Sequence, residues 1–332
     1  MSRQHHLLDE DDVRVRPGRG KSRPRSKERP DHAEAQPGTV LTVDRGRFTL
    51  ELDDGIGMYA IKARELGRKG IVVGDHVDVV GDVSGDTDTQ GRIVRRHART
   101  STLRRTADDS DPVERVVVAN ATRLAVVTST IDPEPRTGLI DRAVVAALDA
   151  GIEPMLVVTK TDLKPADELL ALYGPLDLPV FSITRKKVPE ALVQALAGES
   201  TVLVGHSGVG KSTLVNNLVP SADRSTGHVN AVTGRGRHTS TSVVALHLPA
   251  GGMIIDTPGI RSFGLAHVDL DRVIHAFPDL GARTAGCPRS CSHDEPDCAL
   301  NDLAAEGPVV AQRIDSLRRL LRSRATSVDE EG

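Results

Sequence analysis

The first chemistry that the sequence offers is the binding of nucleotide phosphates. An octapeptide fits the pattern G-x-x-x-x-G-K-[ST], in which glycines let backbone N–H groups turn toward a phosphate. A stretch with helical spacing follows, so the positive end of a helix dipole would also face the anion. We expect Lys211 to reach the β- and γ-phosphates, Ser212 to ligate Mg²⁺ and Thr213 to lie at the α-phosphate. The predicted phosphate loop consists of Gly205, His206, Ser207, Gly208, Val209, Gly210, Lys211 and Ser212.

A second motif for phosphate and magnesium lies farther along the chain. Asp256–Gly259 form D-x-x-G after the apolar run Met253–Ile255. We expect Asp256 to hold Mg²⁺ through a water and the Gly259 N–H to contact the γ-phosphate. In Ras-type enzymes the next position is a glutamine that orients the attacking water. Here it is Ile260, so the sequence predicts slow intrinsic hydrolysis and a further group that completes the site.

A basic segment between these two motifs occupies the place of a switch loop. It runs from Gly234 to Thr241 and contains His238. We expect one hydroxyl among Thr239, Ser240 and Thr241 to contact Mg²⁺, and we expect His238 to help hydrolysis. The alternative is a basic loop whose exposed imidazole takes no part in the chemistry.

A motif for base recognition precedes the phosphate loop, whereas in ordinary GTPases it follows. Thr159, Lys160, Thr161 and Asp162 form T-K-T-D, a weakened version of the guanine-binding N-K-x-D. We expect Asp162 to accept hydrogen bonds from guanine N1–H and the 2-amino group, a donor pair that adenine lacks. Lys160 is expected to pack along the base. Thr159 offers one donor where asparagine offers two, so we expect about 1–2 kcal/mol less guanine affinity.

GTP is therefore the expected nucleotide. Ser182, after the apolar pair Val180–Phe181, is a further candidate for contact with the base. A P-loop ATPase or kinase in which T-K-T-D is a coincidence is the alternative, and the carboxylate of Asp162 disfavours it.

A possible metal site lies near the C-terminal end. All three cysteines of the chain fall between residues 287 and 298, which favours metal binding over disulfides in a cytosolic chain. Three thiolates and one imidazole would make a closed tetrahedral zinc site with no position for catalytic water. Reduced cysteines in a loop are the alternative. The predicted ligands of this one structural Zn²⁺ are Cys287, Cys291, His293 and Cys298.

The composition limits the possible classes of protein. A net charge of −3 means that any basic surface for nucleic acid must be local. Aromatic residues make up only 2%, with no Trp, which argues against broad stacking platforms for single-stranded RNA. No apolar run is long enough to span a membrane and the N-terminus carries no signal-peptide core, so we expect a cytoplasmic protein without a membrane partner.

The hydrophobic pattern divides the 332 residues into a multidomain chain. We predict a disordered basic tail (1–36), which either binds a polyanion or is merely solvated, and a short acidic tail (326–332). Five short alternating segments in 37–100 predict a small β-barrel of the OB or SH3 type, with or without a ligand. Apolar strands alternating with helices in 107–268 predict an α/β domain with parallel strands. Residues 269–325 are expected to form a small helical zinc-binding domain, including a helix from about Val309 to Arg324.

The strand and helix boundaries expected from the pattern are specific enough to test. The barrel strands are predicted at Gly38–Val43, Arg47–Leu52, Met58–Lys62, His76–Val80 and Gly91–Val94. The strands of the α/β domain are predicted at Leu124–Ser129, Met155–Thr159, Val180–Ile183, Thr201–Val204, Val243–Leu248 and Met253–Ile255, with a helix over Gly138–Ala150.

In their order along the chain, the motifs resemble those of the family of ribosome small subunit-dependent GTPase A. The resemblance rests on T-K-T-D, G-H-S-G-V-G-K-S-T, G-R-G-R-H-T, D-T-P-G-I and the Cys₃His cluster, and it covers roughly residues 37–325. It implies an OB-fold, a circularly permuted P-loop GTPase domain and a zinc-binding C-terminal domain. It also implies a role for His238 in hydrolysis, and zinc ligation by Cys287, Cys291, His293 and Cys298. The family's usual asparagine is replaced here by Thr159.

The resemblance also implies a function. We expect a monomeric GTPase that binds the 30S ribosomal subunit through its 16S rRNA, assists late maturation of the subunit, and hydrolyses GTP to GDP when the subunit stimulates it. A nucleotide-gated scaffold that binds rRNA with negligible turnover is the alternative, and Ile260 keeps it open.

Overall fold

The computed structural model describes residues 32–67, 70–86, 88–105, 115–185, 187–220, 243–258, 263, 265 and 268–323. The first 31 residues, the basic segment Gly234–Thr241, Gly259, Ile260 and the acidic end of the chain lie outside the described residues. The predictions made for them stay predictions. Among the described residues, no helix is both long and apolar enough to cross a membrane.

The N-terminal unit is a closed five-stranded barrel. Its first strand pairs antiparallel with the second and the fourth, and its third pairs parallel with the fifth, so that the order 1-2-3-5-4 returns to the first strand. Alternate apolar residues fill the interior, where Val40, Leu50 and Ile93 are fully buried. The OB-fold expectation is confirmed, and each predicted strand agrees to within two residues. The strands are β1 (Gln36–Asp44), β2 (Arg47–Leu52), β3 (Gly57–Lys62), β4 (His76–Gly81) and β5 (Gly91–Arg96).

A two-stranded sheet joins the barrel to the rest of the chain, and the sequence did not predict it. It consists of β6 (Thr102–Arg105) and β7 (Arg115–Ala119). The barrel docks on it through the turn before β4, where the Ala119 N–H donates to the Val73 carbonyl over 3.0 Å. Next to that contact, Arg99 forms a 2.7 Å ion pair with the buried carboxylate of Asp75. The docking therefore combines backbone pairing with one shielded charge pair.

The middle of the chain contributes six strands, in the order β10-β9-β8-β11-β13-β12, to a sheet that continues into the barrel through the antiparallel pairing of β12 with β1. Five strands are parallel, and β12 is antiparallel to β13. The α/β prediction is thus confirmed, and the predicted strands and the long helix agree to within two residues. The strands are β8 (Arg123–Ser129), β9 (Glu153–Thr159), β10 (Val180–Ser182), β11 (Ser200–Val204), β12 (Val244–His247) and β13 (Met253–Asp256). The helices are α1 (Thr137–Asp149), α2 (Asp167–Tyr173), α3 (Glu190–Leu196) and α4 (Lys211–Leu218).

The C-terminal region is helical, as its loss of strand pattern predicted. The last helix presents the expected apolar stripe, and Ile314, Leu317 and Leu320 are fully buried. It packs against α1 of the central sheet. Its three short companions were not predicted, because runs of four to six residues carry little periodic signal. The helices are α5 (Leu270–His275), α6 (Pro278–Gly281), α7 (Leu300–Ala304) and α8 (Pro308–Arg322).

A buried arginine on α1 connects three parts of the chain. The Arg142 guanidinium donates to the Phe263 carbonyl from Nε over 2.9 Å and from Nη2 over 2.7 Å. Its Nη1 donates to the Ser323 carbonyl over 3.1 Å, at the end of α8. On the same helix, the buried Asp141 carboxylate accepts from Arg319 of α8 over 2.9 Å. These bonds fix the C-terminal helix and the segment near Phe263 on the same helix of the central sheet.

The turn before β4 gives a first test of how the barrel docks. Gly74 has a φ of +87°, and an added Cβ would lie 2.1 Å from the Ala119 carbonyl oxygen. Gly55 has a nearly equal φ of +91° but open space around it. We expect Gly55→Ala to cost about 1 kcal/mol of unfolding free energy, from backbone strain alone. Gly74→Ala should cost roughly 2 kcal/mol more, because a backbone carbonyl must move.

Urea unfolding of the two variants and the wild type measures both costs. Equal losses in the two variants would contradict the close docking of the barrel on β7.

Candidate nucleotide site and metal cluster

The predicted phosphate loop and the D-x-x-G motif meet at one cavity. The cavity measures about 410 Å³ and lies where β11 and β13 end. Because β11 and β13 are parallel neighbours, with Leu203 opposite Asp256, their carboxyl ends bring both motifs to the same edge of the sheet. The lining residues are Gly205, His206, Ser207, Gly208, Gly210, Lys211, Ser212, Thr213, Asp256 and Pro258.

The phosphate loop needs glycine for two physical reasons. An added Cβ at Gly205 would lie 2.2 Å from the Val127 carbonyl oxygen, so the loop leaves β11 too close to β8 for any side chain. Gly210 has a φ of +98° and caps the start of α4. The turn at Gly210 directs the N-terminus of α4, with Lys211 and Ser212, toward the cavity. Free N–H groups of a first helical turn, together with the helix dipole, form a binding site for anions.

Polar side chains hold the mouth of the cavity together. Lys211 Nζ donates to the carbonyl of His206 over 3.0 Å and also to that of Gly205. The buried Thr257 hydroxyl donates to the Leu203 carbonyl over 2.7 Å and so fixes the turn that follows Asp256. The sequence motif did not reveal this role for Thr257, because its partner is a backbone atom of a different strand.

The T-K-T-D motif lies at the end of β9, on the same edge of the sheet. Thr159 is buried, and its hydroxyl donates to the Val209 carbonyl of the phosphate loop over 2.6 Å. Thr161 donates to the Ile183 carbonyl over 3.1 Å, just beyond Ser182 at the end of β10. Asp162 is exposed, so its carboxylate is accessible to a base.

Lys160 has a contact that the sequence did not predict. Its Nζ donates to the carbonyl of Asp132, in the loop between β8 and α1. The Thr130 hydroxyl of that loop donates to the Lys160 carbonyl over 2.9 Å. The loop therefore forms a further wall beside the base motif. The residue types of this loop do not identify it as part of the site, because it contacts Lys160 through a main-chain oxygen.

The four predicted metal ligands converge on one point. Their ligand atoms all lie within 4.8 Å of one another. Cys287 Sγ lies 3.8 Å from Cys298 Sγ and 3.7 Å from His293 Nδ1. A tetrahedral ion with bonds of about 2.3 Å to sulfur separates its ligands by about 3.8 Å, whereas a disulfide needs about 2.05 Å. The cluster can therefore hold a metal ion, and its geometry does not fit a disulfide.

Neighbouring groups orient these ligands. The Glu295 carboxylate accepts from the Ser292 N–H over 2.9 Å and lies 3.2 Å from Cys291 Sγ. The Ser292 N–H, followed by the Cys291 thiol, lowers the pKa of Glu295 to about 2. Its hydrogen bonds are thus fully present above its ordinary pKa, and they are lost only as the pH falls through about 2. Arg318 donates to the His293 carbonyl over 2.8 Å and so ties the ligand loop to α8.

The protonation of the ligands matters for metal binding. Burial, followed by the neighbouring Glu295, raises the pKa of the Cys291 thiol to about 12. Burial lowers the pKa of His293, which favours the neutral imidazole that a metal requires. Because a bound thiolate must lose its proton, metal binding at this cluster releases protons and weakens in acid.

Several predicted site residues lie outside the described residues, and their contacts remain predictions. They are Gly259, Ile260, His238, Thr239, Ser240 and Thr241.

Comparison with known proteins assigns the chain to a family. A family model described as RsgA GTPase matches residues 96–266, which span the base motif, the phosphate loop and D-x-x-G. The chain belongs to the RsgA GTPase family. Membership makes it a GTPase, and it agrees with the order of motifs read along the sequence.

Curated relatives support the family assignment over a wider part of the chain. A protein of Pseudomonas fluorescens (strain SBW25), named "Small ribosomal subunit biogenesis GTPase RsgA", is 42% identical over 243 residues, 70% of each chain. A protein of Chromohalobacter salexigens with the same name is 38% identical over 262 residues, covering 76% of this chain and 75% of the relative.

Solved structures share the fold. The crystal structure of YjeQ from Thermotoga maritima is 24% identical, has a TM-score of 0.63, and the match covers 88% of this chain and 99% of that chain. YloQ, described as a circularly permuted GTPase, is 21% identical with a TM-score of 0.63, and the match covers 92% and 99% of the two chains. The permuted topology of the central sheet is therefore shared with both proteins.

The metal cluster gives a second test. We expect the purified, untagged chain to contain about one metal ion, and Cys287→Ser to contain far less, because a hydroxyl is a poor replacement for a thiolate. The variant should also unfold at a lower temperature, since metal binding contributes folding free energy. Elemental analysis and thermal unfolding measure both effects.

Ser290→Ala is the matched control, because Ser290 is exposed and lies in the same loop without belonging to the ligand set. Wild-type protein with well under one metal ion per chain would contradict the site.

Proposed function

We propose that this GTPase binds the small (30S) ribosomal subunit, assists its late maturation, and hydrolyses GTP to GDP and phosphate when the subunit stimulates it. The proposal is carried by one observation: the phosphate loop, D-x-x-G and T-K-T-D meet at one edge of the sheet in a chain whose relatives are named for small-subunit biogenesis. The partner would be 16S rRNA within the subunit, the protein would act as a monomer, and the compartment would be the cytoplasm, where ribosomes are assembled.

The phosphate loop would bind the triphosphate of GTP. The N–H groups that begin α4 and the ammonium of Lys211 supply positive charge where the β- and γ-phosphates would lie. The hydroxyl of Ser212 and the carboxylate of Asp256 line the same cavity and are hard oxygen donors, the ligand type that Mg²⁺ prefers. When bound, Mg²⁺ would neutralise charge on the phosphate oxygens during transfer. The Gly259 N–H would contact the γ-phosphate.

The base motif would select guanine. The exposed Asp162 carboxylate can accept from both N1–H and the 2-amino group, and the stem of Lys160 would pack on the base beside the loop at Asp132. Adenine lacks that donor pair and would leave the carboxylate without its partners. Thr161 would hold the motif against β10, close to Ser182.

Turnover would depend on the ribosome. Ile260 cannot orient water, so the free chain would hydrolyse GTP slowly, and His238 would complete the site when the chain is bound to the subunit. A nucleotide-gated scaffold with negligible turnover is favoured by Ile260 alone.

The other units would hold the factor on rRNA. On the barrel surface the Arg47 guanidinium stacks 5.2 Å above the Tyr59 ring, and Arg95 is 57% exposed, which suits contact with backbone phosphates and bases. The basic N-terminal tail would add further phosphate contacts. Cys287, Cys291, His293 and Cys298 would hold one structural Zn²⁺, for which three thiolates and an imidazole are a typical ligand set.

Base selection by Asp162 can be tested with an altered nucleotide. Asp162→Asn replaces an acceptor by a group that donates, so it should match xanthine, which carries a carbonyl where guanine has the 2-amino group. We expect GTP affinity to fall roughly tenfold to a hundredfold and xanthosine triphosphate affinity to rise. Competition against a fluorescent nucleotide measures both, with ATP as the control for general purine binding. Unchanged GTP affinity would rule out the assigned role of Asp162.

Ribosome-stimulated turnover is the decisive measurement. We expect 30S subunits to raise GTP hydrolysis by the full chain about tenfold or more, because completing the site need lower the barrier by only about 1.4 kcal/mol. His238→Ala should bind GTP normally and lose most of the stimulation.

50S subunits serve as the control and should have no effect. Absence of stimulation by 30S would favour the scaffold, and full stimulation of His238→Ala would remove that residue from the mechanism.

A further inference from the structure

The hydroxyl of Thr159 is committed to the phosphate loop. It is buried and donates its one proton to the Val209 carbonyl over 2.6 Å. A hydroxyl has a single donor, whereas the asparagine of N-K-x-D has two. Thr159 therefore has no proton left for a base, even though it occupies a position of the base motif.

We propose that Thr159 is a positioning residue that sets the phosphate loop against the base motif, and that it leaves guanine selection to Asp162. The inference rests on the proposed function, in which this cavity binds GTP. The sequence alone predicted that Thr159 lowers the affinity for guanine. The contact with Val209 instead predicts that Thr159 affects the affinity for all nucleoside triphosphates and leaves the choice of base unchanged.

The peptide group that Thr159 holds belongs to the anion site. The Val209 carbonyl and the Gly210 N–H are parts of one planar peptide unit, in which the two bonds point in opposite directions. Fixing the carbonyl toward β9 therefore fixes the direction of the Gly210 N–H on the other side, where Gly210 lines the cavity. The loop would otherwise rotate easily at this point, because Val209 lies between Gly208 and Gly210, and glycine, which has no Cβ, adopts a wide range of backbone conformations.

The support behind Thr159 is rigid. Thr159 is the last residue of β9 and pairs in register with Ser129 of β8. Its carbonyl accepts from the Thr130 N–H over 3.1 Å. Its side chain packs close to Gly210, since an added Cβ on that glycine would lie 3.6 Å from Thr159 Oγ1. The hydrogen bond from Thr159 therefore fixes the phosphate loop to a rigid part of the sheet.

The test separates positioning from base contact by using two nucleotides. Cytidine triphosphate carries the same triphosphate as GTP, but its base lacks the O6 and N7 acceptors to which a hydroxyl could donate and the donor pair proposed to bind Asp162. We expect Thr159→Val to weaken GTP and cytidine triphosphate by the same factor, about tenfold, because one hydrogen bond to the loop is lost. Thr159→Ser, which keeps the hydroxyl, should bind both nucleotides within about twofold of wild type. Asp162→Ala should weaken GTP more than cytidine triphosphate.

Thr201→Val is the matched control for the change of side chain. Thr201 is fully buried in β11, and its hydroxyl has no hydrogen-bond partner in the part of the chain that the structure describes. This variant should bind both nucleotides as the wild type does.

The outcomes distinguish the two proposals. If Thr159→Val weakens the binding of GTP alone, Thr159 contacts the base. If it weakens the binding of neither nucleotide, the hydroxyl does not position the phosphate loop. Either result overturns the positioning role while leaving GTP binding intact. If the wild type binds no GTP, the proposed function itself fails.

Discussion

The position of β11 between β8 and β13 is the constraint on which the site depends. Its register places Val204 opposite Val126 and Leu203 opposite Asp256. Through β8, the same ladder places Thr159 opposite Ser129. A slip of one residue would turn each side chain to the other face of the sheet and separate the motifs. This geometry depends on how the strands pair and not on their order along the chain. A permuted sequence can therefore bring the same motifs together.

The sequence predicted those parts of the structure that rest on local patterns. Apolar, β-branched runs such as Leu124–Ser129 identified buried strands, and glycines with a following helix identified the phosphate loop. The pairing of β6 with β7 was not predicted, because Arg104 and Arg105 break the apolar pattern of β6. One of the contacts that hold this sheet to the barrel is also a backbone hydrogen bond, which residue types do not reveal. The roles of Asp132 and Thr257 could not be predicted either, since each contact joins a side chain to a main-chain oxygen that is distant along the chain. The actual partner of the Thr159 hydroxyl is of the same kind.

The C-terminal region contains helices that are too short to be stable without tertiary contacts. Helices α5, α6 and α7 contain six, four and five residues, far below the length at which a helix is stable alone in water. Their order must come from tertiary contacts. Two kinds stand out: α5 packs against α1 and α7 against α8, and three cysteines and His293 converge in the segment between α6 and α7. Arg318 joins the two, because it extends from α8 to the carbonyl of a ligand residue.

The hydrogen bonds of Arg142 also bring two distant parts of the chain together. One guanidinium reaches both the Phe263 carbonyl, five residues beyond Pro258, and the Ser323 carbonyl, at the last described residue. The end of α8 and Phe263, which follows D-x-x-G in the chain, therefore lie within the span of one arginine side chain. A displacement of the main chain at Phe263 would therefore also strain its link to the end of α8.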